Sequence, residues 1–189
     1  MKSETKMSAE KVVKETVKQP KPKLMNIKLE KLHLFENHPY KVLDDDSMTE
    51  LVASIKEYGL LTRIIVRPLE DKPEEYEIIS GHRRVHAADL LEMKEVPAVV
   101  HFIDRDEATK LMVDSNIQRE NVSIMERGRA YRMKLDAIKK QGERTDLTSR
   151  PLVEKLEVSA DKVSDDVSGR TVQRYIRLTN LIPKVLDMV

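Results

Sequence analysis

The chain has 189 residues, of which 40% are hydrophobic and 35% are charged, and its formal net charge is +1. This length allows one or two domains with a real core, and the charged fraction indicates a very polar surface. The sequence contains no cysteine, which excludes disulfides, thiolate metal sites and cysteine nucleophiles. No apolar run reaches the roughly 18 residues of a membrane-spanning helix, and the N-terminus lacks the apolar core of a secretory signal. We therefore expect a cytoplasmic protein with no membrane partner.

Positive charge is unevenly distributed along the chain. Residues 1–23 carry seven lysines and three glutamates and end in an alternation of lysine and proline that cannot continue a helix. We interpret them as a basic flexible tail, with a plain solubilising extension as the alternative. Lys and Arg also outnumber acids by eight to four in residues 116–144 and by four to one in residues 168–189. This asymmetry predicts that one part of the molecule meets a polyanion.

Residues 24–103 alternate between predicted strands and helices. The first predicted helix, "SMTELVASIKEYG", begins with a capping box of Ser47 and Glu50 and ends at Gly59. Three short β-branched runs, "TRIIVRP", "YEIIS" and "VPAVVHF", predict buried strands. This order predicts an α/β layer domain over residues 24–103.

A basic cluster stands where "YEIIS" meets the next predicted helix, in "SGHRRVHAAD". The N-terminus of a helix has unpaired backbone N–H groups and the positive end of the helix dipole, so it favours an anion. Gly81 lets the anion approach the backbone, and Arg83 and Arg84 add planar guanidinium groups that fit phosphate oxygens. The junction therefore predicts a phosphate-binding site. The alternative is a pair of solvated arginines that make surface ion pairs.

The histidines give no metal site. His82 and His86 have the spacing of a zinc-binding pair on a helix, but the two arginines between them would repel a cation. We predict that this pair does not bind zinc and that His82 faces the ligand. The remaining histidines have no spaced partner and are interpreted as ordinary: His33, His38 and His101.

Residues 104–189 have an all-helical pattern. After "DRDEATKLMVDSN", the helix "SIMERGRAYRMKLDAIKKQG" has a second capping box, Ser123 with Glu126, and Gly142 as its predicted end. One face of this helix carries a row of residues at spacings of three and four, which predicts its buried side. These residues are Ile124, Gly128, Tyr131, Leu135 and Ile138.

Residues 159–181 have the length and rhythm of a helix-turn-helix motif. Ser159 is expected to cap a short first helix, and the second helix is predicted from Arg170 to Leu181 with Val172 and Ile176 facing inward. The outward side chains of such a second helix read base edges or phosphates in the major groove. The candidate DNA-binding residues are Ser168, Arg170, Thr171, Gln173, Arg174 and Arg177. The alternative is an amphipathic helix with a solvated basic face.

Three stretches together resemble a known family. The segments "NHPYKVLDDDSMTELVASIKEYGLLTRIIVRP", "YEIISGHRRVHAADLLEMKEVPAVV" and "NIQRENVSIMERGRAY" follow the order and spacing of ParB-family partition proteins. The helix-turn-helix also stands where that family has it, so the resemblance covers residues 24–189. It implies a two-domain α+β/α fold. A small mixed α/β ParB/sulfiredoxin-like domain (24–103) would be followed by an all-helical helix-turn-helix domain (104–189).

The resemblance also implies a function. Such a protein is expected to bind double-stranded DNA at a centromere-like site and to act as a CTP-dependent DNA clamp in chromosome or plasmid segregation. It would be a homodimer associated with the nucleoid, with a ParA-type ATPase as a further partner. Carried over by motif, the residues expected to contact CTP are Thr62, Gly81, His82, Arg83, Arg84, Ser115, Asn116 and Arg119. Asn116 is also the residue expected to contact Mg²⁺.

The sequence departs from the family pattern at three positions. His82 replaces a glutamate of the glycine motif, Arg63 stands where proline is common, and Ser115 replaces a glutamate that assists the metal and hydrolysis. We therefore expect that CTP is bound but hydrolysed slowly, with Asp114 as the one nearby carboxylate. The family's C-terminal dimerisation domain is missing, which suggests a fragment. The tail also lacks the recognisable arginine-containing peptide that stimulates the partner ATPase.

Two other classes of function fit part of the pattern. A ParB-fold enzyme would need a cysteine, as in a sulfiredoxin-like reductase, or clustered carboxylates, as in a nuclease or a kinase. The run from Asp44 to Asp46 could supply carboxylates, but three consecutive acids point in different directions. The second alternative is a transcription or nucleoid-occlusion regulator on the same fold, which the sequence does not separate from a partition protein.

Overall fold

The computed structural model of the protein describes residues 20–117, 119, 122–145, 160, 162–164 and 167–181. In these residues a five-stranded sheet has the order β1-β5-β3-β4-β2. The strands are β1 (Lys23–Lys28), β2 (Leu32–His33), β3 (Ile64–Pro68), β4 (Tyr76–Ser80) and β5 (Glu95–Val100), with a 3-10 turn, Leu29–Lys31, between the first two. β1 pairs antiparallel with β5, β3 antiparallel with β4, and the β3–β5 and β2–β4 pairs are parallel. The sheet is mixed because two of its four strand pairs are antiparallel and two are parallel.

Five α-helices accompany the sheet in the described part of the chain: α1 (Asp46–Tyr58), α2 (His82–Leu90), α3 (Arg105–Asp114), α4 (Ile124–Thr145) and α5 (Gly169–Leu178). None of these helices combines the length and the apolarity needed to cross a bilayer. The predicted tail lies outside the described residues up to residue 19, and so does Ser159, the predicted cap of the first helix of the helix-turn-helix. The described part thus begins at residue 20, three residues before β1.

The three predicted strands are confirmed and form the centre of the sheet. Ile64, Val66, Val96 and Ala98 are completely buried and belong to one apolar cluster with Ile27 of β1. A second cluster joins the other side of β4 to the helices and contains Phe35, Ile79, Ala108, Met112, Val113 and Ala130. Packing is therefore continuous across the predicted boundary at residue 103, because α3 and α4 share this second cluster with the sheet.

The N-terminus of α1 differs from the prediction. Asp45 is the N-cap, and its carboxylate accepts a hydrogen bond from Met48 N at 2.9 Å. The predicted capping box of Ser47 and Glu50 is therefore wrong, because the helix already begins after Asp45, whose carboxylate accepts the N–H of Met48. The predicted end is confirmed: Gly59 has a φ of 72° and donates its N–H to Ile55 O.

The second predicted capping box is confirmed at the start of α4. Glu126 N donates to Ser123 Oγ at 3.2 Å, and Ser123 N donates to Glu126 Oε2 at 3.1 Å. The helix then continues through Gly142 to Thr145, so the predicted end at Gly142 is wrong. A glycine within a helix costs only about 1 kcal/mol relative to alanine, which does not by itself end it.

Helices α3, α4 and α5 pack in sequence order. Tyr131 and Leu135 of α4 are buried together with Val163 and with Val172 of α5. Ile124, predicted on the same face, is 49% exposed, since it is the first residue of the helix and precedes the contact with α5. Helix α5 begins after Ser168, whose hydroxyl caps it by accepting from Thr171 N.

Candidate nucleotide pocket and basic helix

The junction of β4 and α2 requires a glycine. Gly81 has a φ of 106°, a conformation that side chains with a Cβ rarely adopt. A Cβ at this position would lie 2.8 Å from Ile64 Cγ2 and 3.1 Å from Arg84 Nη2. Because no side chain caps α2 at its N-cap residue, the positive end of the helix faces the adjoining space.

An open pocket of about 440 Å³ lies against this junction. The structure brings six of the predicted residues to its wall: Gly81, His82, Arg83, Arg84, Asn116 and Arg119. Four further lining residues were not predicted: His38, Tyr40, Lys41 and Val42. Thr62 and Ser115 do not line the pocket, and each lies one contact behind a residue that does.

The two arginines of the glycine motif are held by different parts of the chain. Arg84 Nη1 donates to the carbonyl oxygens of Thr62 at 2.6 Å and Arg63 at 2.9 Å. Arg83 Nη2 donates to Ser47 Oγ at 2.7 Å and lies 3.4 Å from a carboxylate oxygen of Asp45. The backbone of the 62–63 loop therefore positions one guanidinium group, and the N-terminus of α1 positions the other.

The pocket carries a positive charge that its wall does not neutralise fully. Burial, and to a smaller extent the charge of Arg119, lowers the pKa of the Arg84 guanidinium from its ordinary value. Arginine nonetheless stays protonated at neutral pH. Three arginines converge on this space, so an anion that enters it relieves their mutual repulsion.

Two histidines, His38 and His82, also line the pocket. The rings of His38 and His82 lie 3.9 Å apart, and His38 Nδ1 is 2.7 Å from Tyr40 O. Burial lowers the pKa of His82 to about 3, with smaller contributions from His38 and Arg119. Burial is also the main cause that lowers the pKa of His38. Both rings are therefore uncharged at neutral pH, and the prediction that His38 is an ordinary histidine is wrong.

The pocket wall contains polar atoms that lack partners. In the described part of the chain, four buried atoms of lining residues accept or donate no hydrogen bond: His38 Nε2, Tyr40 Oη, His82 Nε2 and Arg83 Nε. Burial raises the pKa of the Tyr40 hydroxyl, so this group stays protonated. Buried polar groups without a partner are rare in folded proteins, so these atoms are available to hydrogen-bond a ligand or a water.

The end of α3 contributes Asn116 to the pocket. Its Nδ2 donates to Met112 O at 2.7 Å and to Ser115 Oγ at 3.1 Å, so any contact with a cation would come from Oδ1. Ser115 Oγ itself donates to Met112 O. Asp114 forms an ion pair with Lys134 of α4 and does not line the pocket. Among the described residues, no group of three histidine or carboxylate side chains is arranged to hold a metal ion.

The acidic run before α1 has local roles. Asp44 lies 2.7 Å from His86 Nε2, and Asp45 caps α1 and contacts Arg83. His86 therefore pairs with an acid on a neighbouring segment.

Helix α5 presents the predicted basic surface. Arg170, Arg174 and Arg177 are exposed, Thr171 and Gln173 are half-buried, and Val172 is completely buried. Ser168 uses its hydroxyl to cap the helix. Tyr175 is turned toward α4, where its ring centroid lies 5.7 Å from that of Tyr131. The three arginines and Val172 thus lie on the sides predicted for them, whereas Thr171 and Gln173, predicted to face outward, are only partly exposed.

A family model of the ParB N-terminal domain matches residues 9–117, more than half of the 189-residue chain. The chain therefore belongs to the ParB N-terminal domain family, and its mixed α/β fold is that of a ParB N-domain.

Curated relatives carry two kinds of name. The nucleoid occlusion protein of Listeria monocytogenes serovar 1/2a is 29% identical over 165 residues, which are 87% of this chain and 55% of the relative. The chromosome-partitioning protein Spo0J of Thermus thermophilus is 41% identical over 98 residues, which are 52% of this chain and 35% of the relative. The chain thus spans about half or less of the length of these relatives.

A solved structure supports the fold. The C-terminally truncated chromosome-partitioning protein ParB from Caulobacter crescentus, complexed to the centromeric parS site, matches with a TM-score of 0.53 and 24% identity. The match covers 87% of this chain and 76% of that chain.

Proposed function

We propose that this chain is the nucleotide-binding and DNA-binding part of a partition or nucleoid-occlusion protein. Its pocket binds a nucleoside triphosphate, CTP, and α5 binds a centromere-like site on double-stranded DNA. The observation that carries the proposal is the convergence of Arg83, Arg84 and Arg119 on the uncapped N-terminus of α2 at Gly81. A helix N-terminus with several guanidinium groups is suited to phosphate groups.

The chemistry of the pocket fits a nucleotide. The arginines match the phosphates, whereas the neutral imidazoles and the Tyr40 hydroxyl offer unpartnered polar atoms to an uncharged part of the ligand. Cytidine as the base comes from the family resemblance, and not from a contact in the pocket.

A magnesium ion would be held mainly by the nucleotide. Mg²⁺ prefers oxygen ligands and is commonly bound by one or two protein groups together with phosphates and waters. Asn116 Oδ1 is the protein oxygen that we assign to it, and the ion would neutralise phosphate charge. Ser115 is a neutral hydroxyl engaged with Met112 O, and Asp114 is paired with Lys134. We therefore assign at most slow hydrolysis to this pocket.

The DNA-binding role rests on α5 and on the division of the chain. We propose that residues 24–103 form the nucleotide-binding domain and residues 104–189 the helical DNA-binding domain. The helix-turn-helix would comprise residues 159–181. Arg170, Arg174 and Arg177 lie on the exposed side of α5, where a major groove would be contacted. A homodimer that closes as a clamp, and a ParA-type ATPase as partner, complete the proposal through the family resemblance.

A partition protein and a nucleoid-occlusion protein would both use this pocket and this helix, and relatives with both names match the chain. Adjacency of the gene to that of an ATPase would favour partition. A nuclease or kinase is less well supported, because Asp44 and Asp45 contact His86 and Arg83 and cap α1.

Calorimetry with the substitution Arg84→Ala tests the pocket. We expect the unchanged chain to bind CTP in the presence of Mg²⁺ and DNA, and Arg84→Ala to bind none detectably, because a bidentate guanidinium–phosphate contact is lost. Arg63→Ala is the matched control, since its side chain is exposed, lies outside the pocket wall and carries the same charge. Absence of binding of every nucleotide by the unchanged chain would refute the proposal.

A further inference from the structure

The carboxylate of Glu126 joins two distant segments of the chain. Its Oε2 accepts a hydrogen bond from Ser123 N at 3.1 Å, which completes the capping box of α4. Its Oε1 accepts from the backbone N–H of Lys41 at 3.2 Å, across 85 positions of sequence. One side chain therefore fixes the start of α4 and, at the same time, a segment of the pocket wall.

At one end, this hydrogen bond reaches the candidate nucleotide pocket. Lys41 lies in the segment 38–42, and four of the five residues of this segment line the pocket. Two residues before this segment, Glu36 forms an ion pair with Arg105 of α3. Residues 36–42 therefore contact α3 through Glu36 and α4 through the hydrogen bond from Lys41 N to Glu126.

At the other end, the next half-turn of α4 is in direct contact with α5. A Cβ on Gly128 would lie 2.5 Å from Tyr175 O and 2.8 Å from Thr179 Cγ2. The Arg127 guanidinium lies 6.0 Å from the centroid of the Tyr175 ring. One turn further, Arg132 Nη1 donates to Asn180 Oδ1 at 2.6 Å. Because no side chain separates the two backbones at Gly128, a shift of the first turn of α4 is passed to α5.

We propose that Glu126 is a positioning residue that couples the pocket to the DNA-contacting helix. A ligand that moves segment 38–42 changes the hydrogen bond from Lys41 N and, with it, the orientation of the first turn of α4 and of α5. This inference rests on the proposed function of the two sites. The coupling is reciprocal, so DNA on α5 alters the affinity for nucleotide by the same factor by which nucleotide alters the affinity for DNA.

The coupling factor is the ratio of the CTP dissociation constants measured by calorimetry without and with a specific duplex. Couplings between sites are commonly on the order of 5-fold to 150-fold. We expect Glu126→Ala to bring this ratio close to one, while the affinity for each ligand alone changes little. Glu126→Gln should retain most of the coupling, because its amide oxygen still accepts from Lys41 N. Ser123→Ala weakens the capping box and leaves the Lys41 contact intact, so it controls for a general loosening of α4.

A coupling factor for Glu126→Ala equal to that of the unchanged chain would overturn the inference. A large loss in Ser123→Ala would overturn it as well, because the effect would then come from capping alone.

A second measurement needs no ligand and therefore separates this inference from the proposed function. Backbone amide exchange of the unliganded chain should become faster at Lys41 and also in residues 169–178 in Glu126→Ala, but not in Ser123→Ala. If exchange rises at Lys41 while residues 169–178 are unchanged, the two ends are not connected and the inference fails. If the unchanged chain binds neither CTP nor DNA, the proposed function fails, and this exchange pattern alone decides the role of Glu126.

Discussion

The residues around the pocket differ in how they are held. Arg84 is bound by two backbone carbonyl oxygens, so its position depends on the path of the 62–63 loop and not on another side chain. Arg83 is bound by Ser47 and Asp45, and an incoming phosphate would compete with the Asp45 carboxylate. Arg84 is therefore the preset anion ligand of the pair, and Arg83 must partly exchange its partners when a ligand binds.

Ser115 allows a prediction about hydrolysis. Hydrolysis of a triphosphate requires that the charge on the transferring phosphoryl group is neutralised and that a water is placed in line. A serine hydroxyl is neither a strong metal ligand nor a base at neutral pH, and that of Ser115 already donates to Met112 O. We expect slow phosphate release from CTP with DNA present, and faster release from Ser115→Glu.

Asp114→Ala is the control for the hydrolysis experiment. Asp114 is the adjacent carboxylate, but it is paired with Lys134, so its removal should leave phosphate release unchanged. Rapid turnover in the unchanged chain would contradict the role assigned to Ser115. A loss of turnover in Asp114→Ala would show that Asp114 supplies the missing carboxylate.

Among the elements, α4 and α5 approach each other closely at Gly128. Gly128 brings the two backbones together, and the atom nearest to an added Cβ is the carbonyl oxygen of Tyr175, which cannot rotate away as a side chain would. The loss of this contact would also displace Tyr175 from Tyr131 and Arg127. Packing of α5 thus depends on the absence of a side chain at one position.

Gly128→Ala tests this contact. Helix propensity alone would favour alanine by about 1 kcal/mol, whereas overpacking of a close contact costs roughly 1–3 kcal/mol. Since the clash is with backbone, we expect the second effect to prevail and the free energy of unfolding in urea to fall. Asp136→Ala, on the exposed side of α4, should change it by less than about 0.5 kcal/mol. An increase in stability for Gly128→Ala would show that α5 can move away at little cost.

At the scale of the molecule, the part of the chain that the structure describes has a positive region at the pocket and another on α5. One is the pocket, where burial and convergence make an anion favourable. The other is the exposed side of α5, where Arg170, Arg174 and Arg177 are in solvent. The half-buried guanidinium groups of Arg83 and Arg84 are held in fixed positions and can discriminate ligands by geometry, whereas exposed guanidinium groups contribute an attraction that salt screens.

Arg174→Ala tests the role of the exposed region. If Arg174 contacts a base, its loss should cost about 1–3 kcal/mol on a specific duplex and reduce the preference over a scrambled duplex. Fluorescence anisotropy at fixed salt, with a duplex enriched from a random pool, measures both quantities. Arg129→Ala, which removes an exposed arginine from α4, is the matched control. An equal loss on both duplexes would instead identify Arg174 as a phosphate contact.

The sequence predicted those elements whose signals are local. β4 and the glycine at its end were predicted correctly because a β-branched run and a left-handed turn each depend on a few adjacent residues. β1 and β2 were not predicted, since "KLMNIK" and "LH" are half polar, contain no β-branched run and are formed by pairing with β5 and β4. The cap of α1 was assigned to Ser47 because Asp45 and Ser47 are both good caps, and the backbone path chose between them.

By itself, the sequence determined the glycine and the arginines at the β4–α2 junction, the capping box of α4 and the basic side of α5. Each of these depends on residues within one or two turns of each other, so residue type and spacing suffice. Only the tertiary structure decided that the ring of His38 contacts that of His82, that Asp45 contacts Arg83 and that Lys41 N donates to Glu126. These partners are 38 or more positions apart, and the paths of the sheet and the loops bring them together. Burial at those meeting points then set the charge of the histidines, which no local pattern specifies.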